Sequence, residues 1–337
     1  MRKNTAENAI IVIISYPDTI VRPAYWESFS KIWPKIGIGS EHAVQAGHAA
    51  LLLIKKNEPE IKYFDFGRYI TSYGNGRVRC LETDPELYIP IQATFKNDKL
   101  SNLKSILLWL EKHPEKTHGE GRLIASINHK INYNNAIKFI HYLMDAKEYP
   151  YGAFIKKASN CARFVTDTLI NSCTNRLIVL KLKSSYLLTP SPLGNTLKGK
   201  TVKKVYNVKN QTIEIYKNRS ILKEYKAAFF KTFDIELNLI GTELPDINLF
   251  NLNKGTWLSG IGSGAWFHIE EKIDALNYKI ARHTLRGDKD FEGFFTADDP
   301  SFNFHLNHTF IHPSSCKEMC VQQNGKDFIF KLLKIHF

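Results

Sequence analysis

The sequence predicts an α+β domain followed by a smaller, mostly β domain, and three patterns carry that expectation. Short β-branched and aromatic runs fill the first hundred residues. Amphipathic helical periods follow between Ser101 and Ile170, and alternating aromatic runs return beyond residue 240. At 337 residues the chain is long for a single core, so two domains are the natural division. The expected boundaries are 1–185 for the first domain, 186–239 for a basic linker with a hairpin and helix, and 240–337 for the β-rich module.

Ala9 to Ser15 is β-branched, apolar and short, which predicts a buried strand. Arg2 and Lys3 precede it, but Tyr16-Pro17-Asp18 follows where a signal peptide would have a small-residue cleavage site. No apolar run approaches bilayer length, so no transmembrane segment is expected. The default location is cytoplasmic, although a non-classical export route would leave no mark. Pro23 opens an expected short helix through Trp26, Phe29 and Trp33, which Pro34 ends.

"AGHAALLLI" and "IKYFDFGRY" flank the turn "KKNEPE", predicting a hairpin over 48–69. "YGNGRVRC" and "YIPIQATF" extend the β-rich part. Leu103, Ile106, Leu107 and Leu110 then share one helix face behind a Ser101 cap, "NNAIKFIHYLMDAKEY" repeats the pattern, and a third helix starts at Cys161. "LLTPSPLGNTLKGK" reads as a loop, "KTVKKVYNVKNQTIEIYKN" as a hairpin and "SILKEYKAAFFKTFD" as a helix. Beyond them, runs such as "TWLSGIGSGAWFHIEE" and "FNFHLNHTFIH" suggest a sandwich or barrel.

A composition of 43% hydrophobic and 23% charged residues excludes a disordered chain. Five cysteines, an odd number at irregular spacing, make no disulfide framework and read as free thiols. The net charge of +13 is concentrated: between Arg176 and Lys231 there are 13 Lys/Arg against Glu214 and Glu224. Such a stretch suits an anionic polymer, but a solvated, lysine-rich connecting region is the favoured reading. Without zinc-finger spacing or an aromatic RNA-binding signature, nucleic acid is not expected as the partner.

The chemistry concentrates on Cys161. Ser159 and Asn160 are helix-starting residue types, so the thiol falls in a first turn where free N–H groups and the macrodipole favour a thiolate. The adjacent backbone N–H is a natural oxyanion donor. Cys173 falls at the wrong end of the same helix and Cys80 in a strand. Taken alone, a cysteine usually fills space; a histidine partner changes that balance. His48 opens its strand between Gly47 and Ala49-Ala50, small neighbours that leave room for a helix to approach. A hairpin turning near 57–58 sets position 65 opposite position 50, so Asp65 shares a face with His48 as the orienting third group. Tyr63 and Glu60 are the fallback choices. His42, His113, His118, His129 and His141 show no partner pattern and read as surface or helix-face residues.

"GHAALLL" followed much later by "YPYGAF…NCARFV" resembles the circularly permuted NlpC-type papain-like cysteine hydrolases, which include the lecithin retinol acyltransferase relatives. In that group histidine precedes cysteine in the chain. The resemblance covers about the first half of the sequence. It implies an antiparallel sheet with the cysteine helix packed on it, and acyl transfer through a thioester. It makes Cys161 the nucleophile and His48 the base and then the acid. Tyr151 and Phe154 match the upstream pattern, and Tyr151 is placed, with Tyr63, as a substrate- or oxyanion-facing group. Ala162 stands where the acyltransferases commonly have an acidic residue, which favours an amidase or peptidase. The C-terminal half resembles only bacterial two-domain proteins of no assigned activity.

His305, His308, His312, Cys316 and Cys320 are zinc-ligand types, but their spacings fit no standard finger and Pro313 interrupts them. No metal or other cofactor is expected. The glycines of "GIGSGAW" precede no helix and read as turn residues. The expectation is a cysteine hydrolase acting on a peptide-like or acyl substrate, such as a cell-wall peptide. The alternatives are a non-catalytic module gripping an anionic partner, and a lipid acyltransferase, which would need an exposed apolar surface.

Overall fold

The computed structural model describes residues 6–24, 26–28, 32–40, 43–217, 230–231, 243–245 and 255–335. Every residue of Ala9–Tyr16 (β1) is buried, because this strand lies inside a sheet covered on both faces. Around it run His48–Lys55 (β2), Ile61–Gly67 (β3) and Asn75–Arg79 (β4), with a two-residue ladder of Phe95–Lys96 (β5) and Lys99–Leu100 (β6) outside the sheet. Leu123–Ile131 (β7), Tyr149–Pro150 (β8), Tyr206–Lys209 (β9) and Thr212–Ile215 (β10) complete eight strands in the order β10-β9-β7-β1-β2-β3-β4-β8, all antiparallel.

Strand alternation divides the core in two. Ile10, Val12 and Ile14 meet Leu103, Ile106, Leu107 and Leu110 of Leu103–Lys112 (α1), beside which the short Pro114–Thr117 (α2) is packed. Ile11, Ile13, Leu51 and Leu53 meet Ile140 and Leu143 of Tyr133–Asp145 (α3) and Phe164, Val165 and Leu169 of Cys161–Ser172 (α4). Each such side chain taken out of water contributes about 2 kcal/mol. Arg176–Lys183 (α5) and Pro192–Lys198 (α6) follow.

The second sheet is wholly antiparallel. It comprises Thr256–Gly260 (β11), Ser263–Lys272 (β12), Asn277–His283 (β13), Lys289–Ala297 (β14), Thr309–Ile311 (β15), Glu318–Gln323 (β16) and Lys326–Ile335 (β17) in the order β11-β12-β13-β14-β17-β16-β15. Phe267, Tyr278, Ile280, Phe295, Phe310 and Phe330 fill its concave side. Its two edges approach one another, Phe310 N–H donating to Thr256 Oγ1 at 3.1 Å, so the module nearly closes as a barrel. The chain is therefore α+β with a β-rich C-terminal domain.

Several elements depart from the sequence expectation. β7, a central strand, was not foreseen. Its inward polar residues are satisfied from far along the chain: Ser126 Oγ donates to Thr196 O and Asn128 Nδ2 to Gly199 O. The Tyr206–Ile215 hairpin and α6 pack on the first sheet, which thus continues past residue 185. Ser101 does not cap α1; Asn102 holds that position and Ser101 Oγ donates to Thr94 O. "YIPIQATF" is mostly irregular, with only Phe95 in a strand.

Of the helix expected from Pro23, residues 25 and 29–31 lie outside the described residues, and 26–28 form turns and a bend. There Trp26 Nε1 donates to Tyr151 O and Glu27 accepts from Phe154 N. Pro34 opens a 3-10 turn rather than ending a helix. The helix expected over Ser220–Asp234 falls almost entirely outside the described residues. No helix among the described residues is long and apolar enough to cross a membrane.

Candidate active site

The end of β1, the start of β2, the end of β3 and the start of α4 all meet at one rim of the first sheet, and the candidate residues converge there. Gly47 makes the entry to β2 possible: its φ is +76°, and a Cβ there would stand 2.9 Å from Tyr16 O. His48 follows, 7% exposed, with its ring stacked near Tyr16. Ala50 pairs with Asp65 across β2 and β3, the register expected from the hairpin, so His48 and Asp65 share a sheet face. His48 Nε2 lies 3.2 Å from Asp65 Oδ2. α4 packs on the other face and begins at the rim, where Cys161 lines the same cleft as His48. With Nε2 committed to Asp65, Nδ1 is the nitrogen left for the thiol.

The helix start is well built. Asn160 is extended (φ −149°, ψ 179°) and its side chain accepts from Arg163 N, so Cys161 is the first residue with helical geometry. Arg163 Nη1 reaches back to the carbonyls of Gly152 and Ile155, stapling the loop that precedes Cys161. Tyr151 stacks on Phe66, lies under the Arg68 guanidinium (4.8 Å) and lines the cleft.

Asp65 is fully buried and collects five donor contacts: Arg79 Nε (3.0 Å), Arg79 Nη2 (2.6 Å), Tyr63 OH (3.0 Å), Tyr69 OH (3.3 Å) and His48. Burial alone would raise its pKa, but the Arg79 guanidinium and His48 outweigh that and hold it well below the usual carboxylate range. For His48 burial opposes the imidazolium, yet the hydrogen-bonded Asp65 carboxylate and the Cys161 thiol nearby prevail and raise it to about 9. Because the folded value exceeds the ordinary 6.5, the stabilisation is complete below pH 6.5 and is lost as pH rises through 9. A displacement of that size is worth about 3 kcal/mol. The thermal midpoint is therefore expected to fall between pH 6.5 and 9 more steeply for wild type than for His48→Gln; parallel curves would contradict the ion-pair assignment.

His48, Cys161 and Tyr151 line a cleft of about 630 Å³ together with Arg68, His118 and Glu120. Reading the sequence missed His118. It sits at φ +50° just after α2, exposed at the cleft and beside Tyr69 (5.1 Å between rings). The surrounding protein and the Arg79 cation lower its pKa. Arg79 was also missed; besides holding Asp65, it donates to Lys116 O at 3.3 Å and so fixes the turn that carries His118.

Tyr63 is not a cleft residue: its hydroxyl is spent on Asp65, behind the histidine, which corrects its placement as a substrate or oxyanion group. Glu60, the other fallback third group, pairs with Lys62 at 3.3 Å. The remaining thiols have no such setting. Burial pushes Cys80, Cys173, Cys316 and Cys320 above the ordinary thiol range. Among the described residues no three His, Cys, Asp or Glu side chains gather as a metal site. His305 lies in a turn and His308 in the irregular segment before β15, and His308 Nδ1 is 3.0 Å from Leu306 O.

Residues 11–178 match the family of TseH-like type VI secretion system effectors. That span contains His48, Asp65, Tyr151 and Cys161. Residues 255–333 match the DUF6695 C-terminal domain. Among solved structures, the crystal structure of the type VI secretion system effector TseH is similar at 16% identity, with a TM-score of 0.39, covering 63% of this chain and 100% of that one. No curated protein matches.

Proposed function

We propose that the chain is a cysteine hydrolase of the permuted papain-like type, cleaving an amide or peptide bond through a thioester on Cys161. One observation carries this reading: a cysteine at a helix start lines the same cleft as a histidine whose Nε2 faces a buried carboxylate. Cys161 Sγ attacks the carbonyl carbon while His48 holds the thiol proton. The developing oxyanion is met by the Cys161 backbone N–H, one of the helix amides with no intrahelical acceptor. Collapse expels the amine, protonated by His48, and leaves the thioester. Water, deprotonated by His48, then releases the acid and restores the thiol. Asp65 keeps the imidazole oriented throughout, and Tyr151 forms part of the substrate wall.

The match to TseH-like type VI secretion system effectors supports a secreted effector; a cell-wall peptide is the substrate class we propose for it. The match is also compatible with export by a non-classical route. A second reading, acyl transfer from a lipid, draws support from Leu187 (88% exposed) and Leu188 (85%). They adjoin Thr189, whose hydroxyl donates to Ala153 O in the loop leading to Cys161. The charged and polar groups lining the cleft itself, Arg68, His118 and Glu120, favour the amide. A non-catalytic module using the basic stretch 176–231 on an anionic polymer is the remaining alternative.

A peptidyl thiol-directed amidase probe separates these readings. Wild type is expected to label at Cys161, and Cys161→Ala to lose that labelling completely. Equal labelling of the two proteins would end the hydrolase reading.

A further inference from the structure

The cleft that holds Cys161 and His48 is walled in part by the C-terminal sheet. β11 and β12 are joined through Ile261 and Gly262, with Gly260 paired to Ser263 and Gly262 at φ +68°. Both tip residues line the cleft. A Cβ built on Gly262 would meet nothing within 4 Å, so the tip borders open space.

This tip is fixed to the segment that leaves β3, the strand carrying Asp65. Ile261 N–H donates to Arg68 O at 3.0 Å, and Ile70 N–H donates to Ser263 Oγ at 2.9 Å. Gly260 presses so closely that a Cβ there would lie 2.3 Å from Ile70 N and 2.4 Å from Arg68 O. Only glycine permits that approach. Arg68 in turn donates to Arg22 O at 2.7 Å and covers the Tyr151 ring, so wall and floor are one connected structure.

Away from the tip the module is anchored by charge and backbone. Arg282, 3% exposed, reaches Glu86 at 2.6 Å, Asp290 at 3.0 Å and Asp84 at 3.7 Å. Cys316 N–H donates to Thr83 O at 3.1 Å, and Lys317 pairs with Glu82 at 2.6 Å. A wall held at three places keeps its position when a ligand presses on it.

We propose that the β11–β12 turn is the specificity-determining wall of the cleft. In this account Ile261 selects among peptide-like amides by the bulk of the group lying beside Arg68, while taking no part in the chemistry. The proposal rests on the cysteine-hydrolase reading. It gives the C-terminal module a defined role: it shapes the site that the first domain powers.

The full-length chain is tested as wild type, Ile261→Trp and Ile261→Ala, with iodoacetamide as a small alkylator of Cys161 and a peptidyl chloromethyl ketone as a bulky one. Thermal midpoints verify that each variant is folded. The iodoacetamide rate is expected to stay within about twofold in both variants. The peptidyl probe is expected to slow at least about tenfold in Ile261→Trp, while Ile261→Ala improves relative reaction with probes bearing larger side chains. Unchanged peptidyl rates in folded Ile261→Trp would overturn the wall. An equal fall with both probes would also overturn it, because the turn would then be holding the catalytic groups. Failure of wild-type Cys161 to react with either probe would instead overturn the hydrolase reading, and this proposal with it.

Discussion

Replacing Asp65 with alanine is expected to cost the fold about 3–5 kcal/mol and to abolish hydrolysis. Arg79 explains the size of the loss. Its side chain is 2% exposed and makes a bidentate pair with Asp65 at 3.0 and 2.6 Å. Without the carboxylate a guanidinium is left in the interior without its paired counter-charge, while the hydroxyls of Tyr63 and Tyr69 lose their shared acceptor. His48 loses the group that fixes its ring in the same step. Urea or thermal unfolding measures the first effect. The double variant Asp65→Ala/Arg79→Met is expected to recover part of the stability, because it removes the stranded charge, but none of the activity. A single variant as stable as wild type would contradict the buried-pair account.

His48→Ala is expected to lower the rate of amide hydrolysis by about 10²–10⁴-fold, the usual worth of a positioned acid–base group. The effect on stability should be smaller and opposite in its pH dependence to that of Asp65. His48 strengthens the fold at low and neutral pH, whereas the depressed Asp65 contributes above the ordinary carboxylate range and loses that contribution on acidification. Steady-state hydrolysis of a peptide amide measures the loss; a variant within tenfold of wild type would remove His48 from the mechanism.

The helix-start position of Cys161 and the shared face of His48 and Asp65 could be read from the sequence because each depends on local pattern. A cysteine after Ser-Asn ahead of a helical period gives a first-turn thiol, and period-2 alternation in one hairpin gives the pairing of Ala50 with Asp65. What escaped is set by long-range contact. Arg79 in "GRVRC" has the composition of a surface strand, yet it is folded inward by a carboxylate on the neighbouring strand. His118 reaches the cleft only because Arg79 holds the preceding turn from 37 residues away. β7 carries Ser126 and Asn128, residue types that argue against a buried strand until carbonyls near α6 are found to satisfy them. Ile261 looks like part of a glycine-rich turn, and its cleft position follows from how the two sheets dock.

The central claim is that His48 activates Cys161, and alkylation of that thiol tests it most directly. Iodoacetamide is applied to folded wild type and His48→Ala at pH 6.5, and each cysteine is followed by peptide mass mapping. In wild type Cys161 is expected to react ahead of Cys80, Cys173, Cys316 and Cys320, whose thiols burial disfavours as thiolates. In His48→Ala its rate is expected to fall at least about tenfold. An unchanged rate at Cys161, or faster reaction at one of the other four, would contradict the account.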